Sequence, residues 1–489
     1  MSNDIEYKNR QTIPRWLPFK ESNRFFIVNS FFSDPVSEEE KNNFDILKYE
    51  WLKNKSVSLA QELIASSKTL QLPCDSIISE AKSFLNINTS YNNFFLSDLK
   101  NTDIIYNCEQ INIKESIHTI RNKLRGELVD PILWVDLAYY HLLLGNKDKA
   151  ERCIKVALSL NSTNYYILRS ASIFFIHNND PEQALRILNT SSSSFTHPLI
   201  ISSEIAIAEA FDLRSKRIKQ GFEVAKNQNI SPLFLTELHA TLATLEYNSG
   251  SKKKGKKLLQ KALLCPNENS LAQIEFINNR FDENFDIQTY LVFGKYEVNT
   301  WSAYRNLNYE KVIEQSKLWF YYHPFSTRSI VLYSYINTLI FENYTDTIDL
   351  LNRALVINPN DPVLLNNKAV ALAKNNQVDE ARKTINKIVV TTEHDDYDVI
   401  LATKGLIELK DGNTDMGNQY YLKSVENLQK KNNLPRIARA LYYWGMELLR
   451  IEDERGNRYL NEAYNLAKKS NQNELIYIIE KNRLTPAST

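Results

Sequence analysis

The stretch PILWVDLAYYHLLLGNKDKAERCIKVALSLNS, residues 131–162, holds two apolar-periodic segments around a polar turn, Gly145-Asn146-Lys147-Asp148. Asp130-Pro131 opens the first segment. Aspartate accepts hydrogen bonds from the free N–H groups of a first helical turn, and proline at the first helical position sacrifices none. Three small residues, Ala138, Ala150 and Ala157, stand 12 and then 7 positions apart. The same intervals return at Ser172, Ala184 and Ser191, at Ala206, Ile218 and Ala225, and at Ala369, Ala381 and Ile388. They return again at Tyr335, Thr347 and Ala354, at Gly405, Gly417 and Ser424, and at Trp444, Gly456 and Ala463. Ala138, Ser172, Ala206 and Ala240 are offset by 34 residues. Antiparallel helices approach closely only where side chains at the crossing are small. The first two positions of each set are therefore expected to face each other inside a helical hairpin, and the third to receive the next hairpin. A 34-residue helical period predicts an all-α solenoid.

Composition agrees. Only 11 of 489 residues are glycine, about 2% against a typical ~7%, and glycine weakens helix interiors. Lysine plus arginine (59) balance aspartate plus glutamate (58), a net charge of +1. That balance excludes a global electrostatic footprint for nucleic acid or anionic membrane. Cys74, Cys108, Cys153 and Cys265 form no CxxC pair and read as reduced, mostly buried thiols. The opening MSNDIEYKNRQTIPRW has no apolar core of a signal sequence, and no apolar run approaches membrane-spanning length. A cytoplasmic protein is expected.

Along the chain, residues 1–37 read as a non-helical arm, with Pro14 and Pro18 flanking Trp16 and an aromatic run at Phe25, Phe26, Phe31 and Phe32. Ser37 and Glu40 form a potential capping box. Residues 38–129 read as a helical region, with one long amphipathic helix over about 38–70 and shorter ones near 74–87 and 111–126. A regular array spans 130–266. The rhythm fails over 267–326, a degenerate or junctional stretch, and resumes over 327–466. Residues 467–489 read as a capping helix and tail. Aspartate–proline pairs recur at Asp180-Pro181 and Asp361-Pro362.

The unit at 131–162 resembles a tetratricopeptide repeat, with Trp134, Leu137, Ala138, Gly145, Ala150 and Ala157 at that family's signature positions. PVLLNNKAVALAKNNQVDEARKTINKIV, beginning at Pro362, is similar, and so are the helix-closing phrases RALVINPND (Ala354, Pro359) and KALLCPN (Ala262, Pro266). Ser202 and Thr236 depart from the pattern, standing where it has a large apolar residue. The resemblance implies a right-handed superhelix whose concave face, lined by each repeat's first helix, holds a peptide or protein partner. On that face fall Tyr139, Leu142, Arg169, Ile173 and Glu237, the candidate partner-binding residues. The lysine and asparagine pattern of clamps for acidic C-terminal tails is absent: the corresponding positions read Val135 and Tyr139, Arg169 and Ile173, Ser203 and Ile207, Glu237 and Thr241.

Other constellations have plainer readings. Gly250-Ser251-Lys252-Lys253-Lys254-Gly255-Lys256-Lys257 nearly spells a phosphate-binding loop, but Lys257 replaces the Mg²⁺-holding hydroxyl and the preceding segment is helical. Lys252, Lys253, Lys254, Lys256, Lys257 and Lys261 form a basic patch, either a phosphate-contacting surface or a solvated helix end. Glu393-His394-Asp395-Asp396 with Asp398 lacks a calcium loop's glycine, so Asp398 is expected to cap a helix starting at Val399. The aromatic run Trp319, Phe320, Tyr321, Tyr322 and Phe325 is expected to pack as core. No histidine pair, nucleophile elbow or activated cysteine appears. No catalytic residue, cofactor or metal is therefore predicted. Arg15, Trp16 and Phe19 either dock a partner or cover the chain's own solenoid, and the need of solenoid ends for caps favours the second. The expected function is a non-enzymatic adaptor or scaffold for a protein or peptide partner. The alternatives are a nucleic-acid-binding repeat protein or a regulatory subunit of a separately encoded effector.

Overall fold

The computed structural model describes residues 16, 38–53, 55, 60, 63, 67, 76–81, 110–126 and 130–484, apart from 191–195, 228 and 293. Among the described residues all regular structure is helical. Contacts divide the chain into one unit of Gln11–Lys295 and a second of Tyr296–Thr489 with Met1–Arg10.

The first unit opens with α1 (Glu38–Lys53) and α2 (Gln110–Gly126). The single helix expected over 38–70 is interrupted, because Lys55 is already outside it. Asn54-Lys55-Ser56-Val57-Ser58 holds asparagine, serine and a β-branched residue, weak helix formers that compete for backbone partners. The break lets Lys55 pair with Glu80, whose carboxylate also accepts from Trp51 Nε1 at 3.1 Å. Phe44, Trp51, Ala60, Leu63, Ile78 and Ala81 bury a small core there. The potential capping box at Ser37 lies outside the described residues.

Hairpins follow: α3 (Pro131–Leu143) with α4 (Lys147–Leu160), and α5 (Tyr165–His177) with α6 (Pro181–Thr190). Next come α7 (Pro198–Ala210) with α8 (Ile218–Val224), α9 (Pro232–Asn248) with α10 (Lys252–Ala262), and then α11 (Glu268–Phe281). Asp130 Oδ1 accepts from Ile132 N at 2.9 Å and Asp180 Oδ1 from Gln183 N at 3.0 Å, the caps read from sequence. Each hairpin turns on one left-handed residue: Gly145, Asn179, Asp212 or Gly250. The first helices α3, α5, α7, α9 and α11 pack on one another in succession and form an inner layer.

In the second unit the hairpins are α12 (Tyr296–Arg305) with α13 (Tyr309–Tyr322), α14 (Arg328–Leu339) with α15 (Tyr344–Ile357), and α16 (Pro362–Lys374) with α17 (Val378–Ile385). They continue with α18 (Tyr397–Lys410) and α19 (Thr414–Lys430), α20 (Leu434–Arg450) and α21 (Arg455–Lys469), and a last helix α22 (Asn473–Leu484). Asp361 Oδ1 accepts from Leu364 N at 2.9 Å, the third such cap. One apolar core runs from Trp301 to Ile479. The stretch read as degenerate, 267–326, contains helices α11, α12 and α13, and among its described residues the longest break between helices falls between Phe281 and Tyr296. Trp319 and Phe320 are buried, with the Trp319 ring edge-on to Trp301 at 6.4 Å.

Small residues do mark the crossings, with two shifts of register. A Cβ on Gly405 would stand 2.6 Å from the Tyr421 ring and 3.0 Å from the Gly417 carbonyl, so first and second positions meet. In the last hairpin, however, Gly456 faces the Gly445 carbonyl (2.7 Å from its would-be Cβ), not Trp444. Trp444 instead stacks on Tyr421 and Tyr459 at 5.4 and 4.3 Å. Likewise Gly255 faces the carbonyl of Ala243, three residues beyond Ala240. Both α9 and α20 run 17 residues against 13 in α3, which moves the crossing along the helix. The third position is also mixed. Ala225 receives His239 of the next hairpin (3.2 Å), whereas Ser424 Oγ donates to Asp398 O of its own (2.6 Å).

Candidate binding surfaces

In the first unit the inner layer is largely closed by its own side chains. Tyr139, Leu142 and Ile173 are buried. Arg169 of α5 and Glu237 of α9 form an ion pair, Nη2 to Oε2 at 2.6 Å, with side chains only 14% and 9% exposed. Glu237 Oε1 also accepts from Asn267 Nδ2 at 2.8 Å and Asn269 Nδ2 at 3.3 Å. The pair thus ties α5 to α9 and to the start of α11, a fastening role that their spacing along the groove did not indicate.

Beside this pair lies a cleft with room for about one water, lined by Ser202, Glu237, Ala240, Thr241, Asn269, Ser270 and Gln273. Gln273 Nε2 donates to Thr244 Oγ1 at 2.9 Å, and Thr236 Oγ1 donates to Ala262 O at 2.9 Å. The buried Asn269 Oδ1 has no hydrogen-bond partner among the described residues. A buried carbonyl left unpaired is costly, and a ligand N–H relieves that cost. Sequence reading passed over Asn269, Ser270 and Gln273. The available signal was Ser202 standing where the repeat pattern has a large apolar residue, since a small side chain there opens space.

Trp16 is 2% exposed, with its ring edge-on to Tyr139 at 5.7 Å. Trp16 thus touches the inner layer at α3; Arg15 and Phe19 lie outside the described residues. His197 stacks on Tyr165 at 4.7 Å, and burial, reinforced by Arg169, pushes its pKa down to about 4. An unfolded chain binds that proton near pH 6.5. The contribution of His197 is therefore fully present above about pH 6.5 and is lost as pH falls toward 4, by about 3 kcal/mol in total. His197→Phe keeps the stacking, and the expected result is a flatter stability profile over that window in urea titrations. An unchanged slope would remove His197 from the account.

The six lysines of the basic patch all sit on the exposed side of α10. Lys256 Nζ is 3.5 Å from Glu283 and lies over the Phe285 ring. Gly255 is buried in the middle of that helix, where a Cβ would stand 2.6 Å from Tyr247, so its role is packing and not a phosphate loop. Asp398 lies inside the first turn of α18, not at its cap as expected. It accepts from Asn427 Nδ2 at 2.9 Å and Lys431 Nζ at 2.7 Å. Asp396 pairs with Arg436 at 3.0 Å. Among the described residues no group of His, Cys, Asp and Glu is placed to hold a metal. Burial pushes the Cys153 thiol up to about 11, and Cys265 is also a free, raised thiol; Cys74 and Cys108 lie outside the described residues.

In the second unit, Glu447 is fully enclosed by Lys374, Lys410 and Arg450 at 3.4, 3.6 and 2.7 Å. These cations come from α16, α18 and α20, so one carboxylate fastens three successive first helices. The last helix, α22, meets the same inner layer. Glu474 Oε2 accepts from Tyr304 of α12 at 3.0 Å, and its Oε1 from Tyr335 of α14 at 3.2 Å. No described helix is long and apolar enough to cross a membrane.

The tetratricopeptide repeat family profile matches residues 350–383, which cover the end of α15, α16 and the start of α17. That segment is a tetratricopeptide repeat, and the hairpins before and after it share its helix–turn–helix build. Among solved structures the chain is similar to yeast Tom70, at 14% identity over 77% of this chain and 96% of that one, with a TM-score of 0.32. It is also similar to a human IFIT1 dimer with PPP-AAAA, at 11% identity over 92% and 99%, TM-score 0.33. A third is the Cut9-Hcn1 hetero-tetramer of the APC/C, at 13% identity over 74% and 77%, TM-score 0.28. No curated protein sequence matches the chain.

Proposed function

We propose that this chain is a non-catalytic adaptor that holds a segment of a protein partner against the inner helices of its first unit. The observation that carries this reading is the cleft between α7, α9 and α11, with the unpaired buried Asn269 carbonyl among hydroxyl-bearing neighbours. The recess takes one polar side-chain tip of such a segment, whose N–H group meets the Asn269 carbonyl. Of the residues first proposed for partner binding, Glu237 lines the cleft, Arg169 holds Glu237 in place, and Tyr139 meets Trp16.

Affinity capture of the tagged full chain, with and without nuclease, tests the reading. The expected result is a stoichiometric protein that survives nuclease and is lost at least tenfold in Thr241→Gln, a variant that extends a longer side chain into the cleft while keeping its unfolding midpoint. Recovery of nucleic-acid-associated proteins alone, abolished by nuclease and by added salt, would replace this reading with one in which Lys252–Lys261 contact phosphates.

A further inference from the structure

We infer that the outer face of α10 is a docking surface for double-stranded nucleic acid, held through the phosphates of the duplex. The site lies apart from the cleft of the adaptor reading and does not depend on it.

Six of the eleven residues of α10 are lysine, and none is acidic. Every other second helix of a hairpin, in either unit, carries at least one aspartate or glutamate. All six lysines are exposed. Among the described residues only Lys256 of the six has an ion-pair partner, Glu283 at 3.5 Å. The helix is seated by its other side, where Gly255, Leu259 and Ala262 are buried and Gly255 is closed against Tyr247.

The lysines are badly placed for the helix itself. Lys252, Lys253 and Lys254 occupy its first turn, where the macrodipole already presents positive charge. Lys252 and Lys256, Lys253 and Lys257, and Lys257 and Lys261 are like charges four residues apart, and each pair repels. Solvation alone is served by mixed charge, as on α4, where Lys155 pairs with Glu151 at 2.8 Å. Local rules broken together on one element mark a functional surface, and a bound polyanion relieves both kinds of repulsion at once.

The arc of charge selects among polyanions. At about 100° per residue, the six lysines cover about 200° of the helix circumference. An anionic membrane is flat and takes apolar side chains from the helix it binds, whereas the exposed residues of α10 are the six lysines and Gln260. Single strands stack their bases on free aromatic rings. The rings beside α10 are engaged: Phe281 lies 5.1 Å from Tyr247 with Arg280 over it, and Lys256 lies over Phe285. A duplex groove has a row of phosphates on each flank, and the major groove of DNA, about 12 Å wide, admits a helix. Cations on both flanks of a protruding helix match that arrangement. Lysine is a compact point charge suited to phosphate, and α10 has no arginine to fork onto a base edge.

The test is fluorescence anisotropy of the full chain with a labelled DNA duplex of random sequence, over about 50 to 200 mM salt. Engagement of most of the lysines is expected to give a slope of log affinity against log salt of about −3 to −5. Lys253→Gln with Lys257→Gln is expected to cost at least tenfold in affinity and to flatten that slope by about 2, with an unfolding midpoint unchanged or raised. Lys253→Arg with Lys257→Arg keeps both charges and is expected to keep binding. So is Lys147→Gln with Lys155→Gln, the same loss of charge made on α4. A duplex RNA of the same length decides between the two sources of a phosphate groove, and binding of either with the stated slope sustains the inference. No duplex binding at the lowest salt, or equal loss from the α4 and α10 substitutions, would overturn it. Tighter binding to a single strand or to phosphatidylserine vesicles, or displacement of the duplex by poly-glutamate at equal charge, would overturn it as well. These components are purified and the cleft is untouched, so failure here leaves the Thr241→Gln capture experiment to decide the adaptor reading separately.

Discussion

Glu237→Ala is expected to destabilise the first unit by about 3–5 kcal/mol, the range for removing one member of a buried ion pair. The loss has a specific origin. Arg169 stays behind with 14% of its side chain exposed and no carboxylate at 2.6 Å, and Asn267 and Asn269 lose their shared acceptor. Arg169→Met combined with Glu237→Leu removes both charges together, and its cost is expected to be far smaller, since apolar replacement of a whole buried pair is often close to neutral. Urea unfolding of the three chains checks this. A single variant that unfolds at the normal midpoint would return the pair to the status of an accessible groove contact. This outcome bears on the sequence expectation that Arg169 and Glu237 contact a partner directly, because a fastening pair loses binding through lost structure.

Gly456→Ala is expected to destabilise the second unit by about 1–3 kcal/mol, the usual cost of forcing carbon into a filled crossing. The added Cβ would meet the Gly445 carbonyl and Leu449 Cγ, each at 2.7 Å. A backbone oxygen cannot rotate away, so α20 and α21 must separate. Alanine's better helix propensity returns about 1 kcal/mol, which makes a net loss the more telling result. Gly412→Ala is the control. Its site is open, with nothing within 4 Å of a Cβ, and its cost comes only from φ of +86°, about 1–2 kcal/mol. Adding room elsewhere in the α20–α21 crossing, as in Leu449→Ala, should recover part of the Gly456→Ala loss and none of the Gly412→Ala loss. Thermal unfolding midpoints separate the two, and full independence of Gly456 from Leu449 would refute the crossing argument.

The helical hairpins were legible because their causes are local. Asp130, Asp180 and Asp361 cap the helices that follow them, and the 12-residue interval brings Gly405 to Gly417, as read from the chain. The register slipped at Trp444 and at Ala240, since a 17-residue helix carries its crossing further along than a 13-residue one. Of the candidate site, sequence supplied the inner-layer positions but not their state. Whether Arg169 is open to a partner depends on Glu237, two repeats away, and whether Tyr139 is covered depends on Trp16.

By itself, then, the sequence determined an all-α chain of capped hairpins with small residues at the crossings, because each of these follows from contacts within one repeat or between neighbours. Only the tertiary structure decided what occupies the inner layers: Glu237 beneath Arg169, Asn269 unpaired in its cleft, and Glu474 between Tyr304 and Tyr335. Those meetings depend on the rotation accumulated from hairpin to hairpin, and a 34-residue period does not encode that rotation.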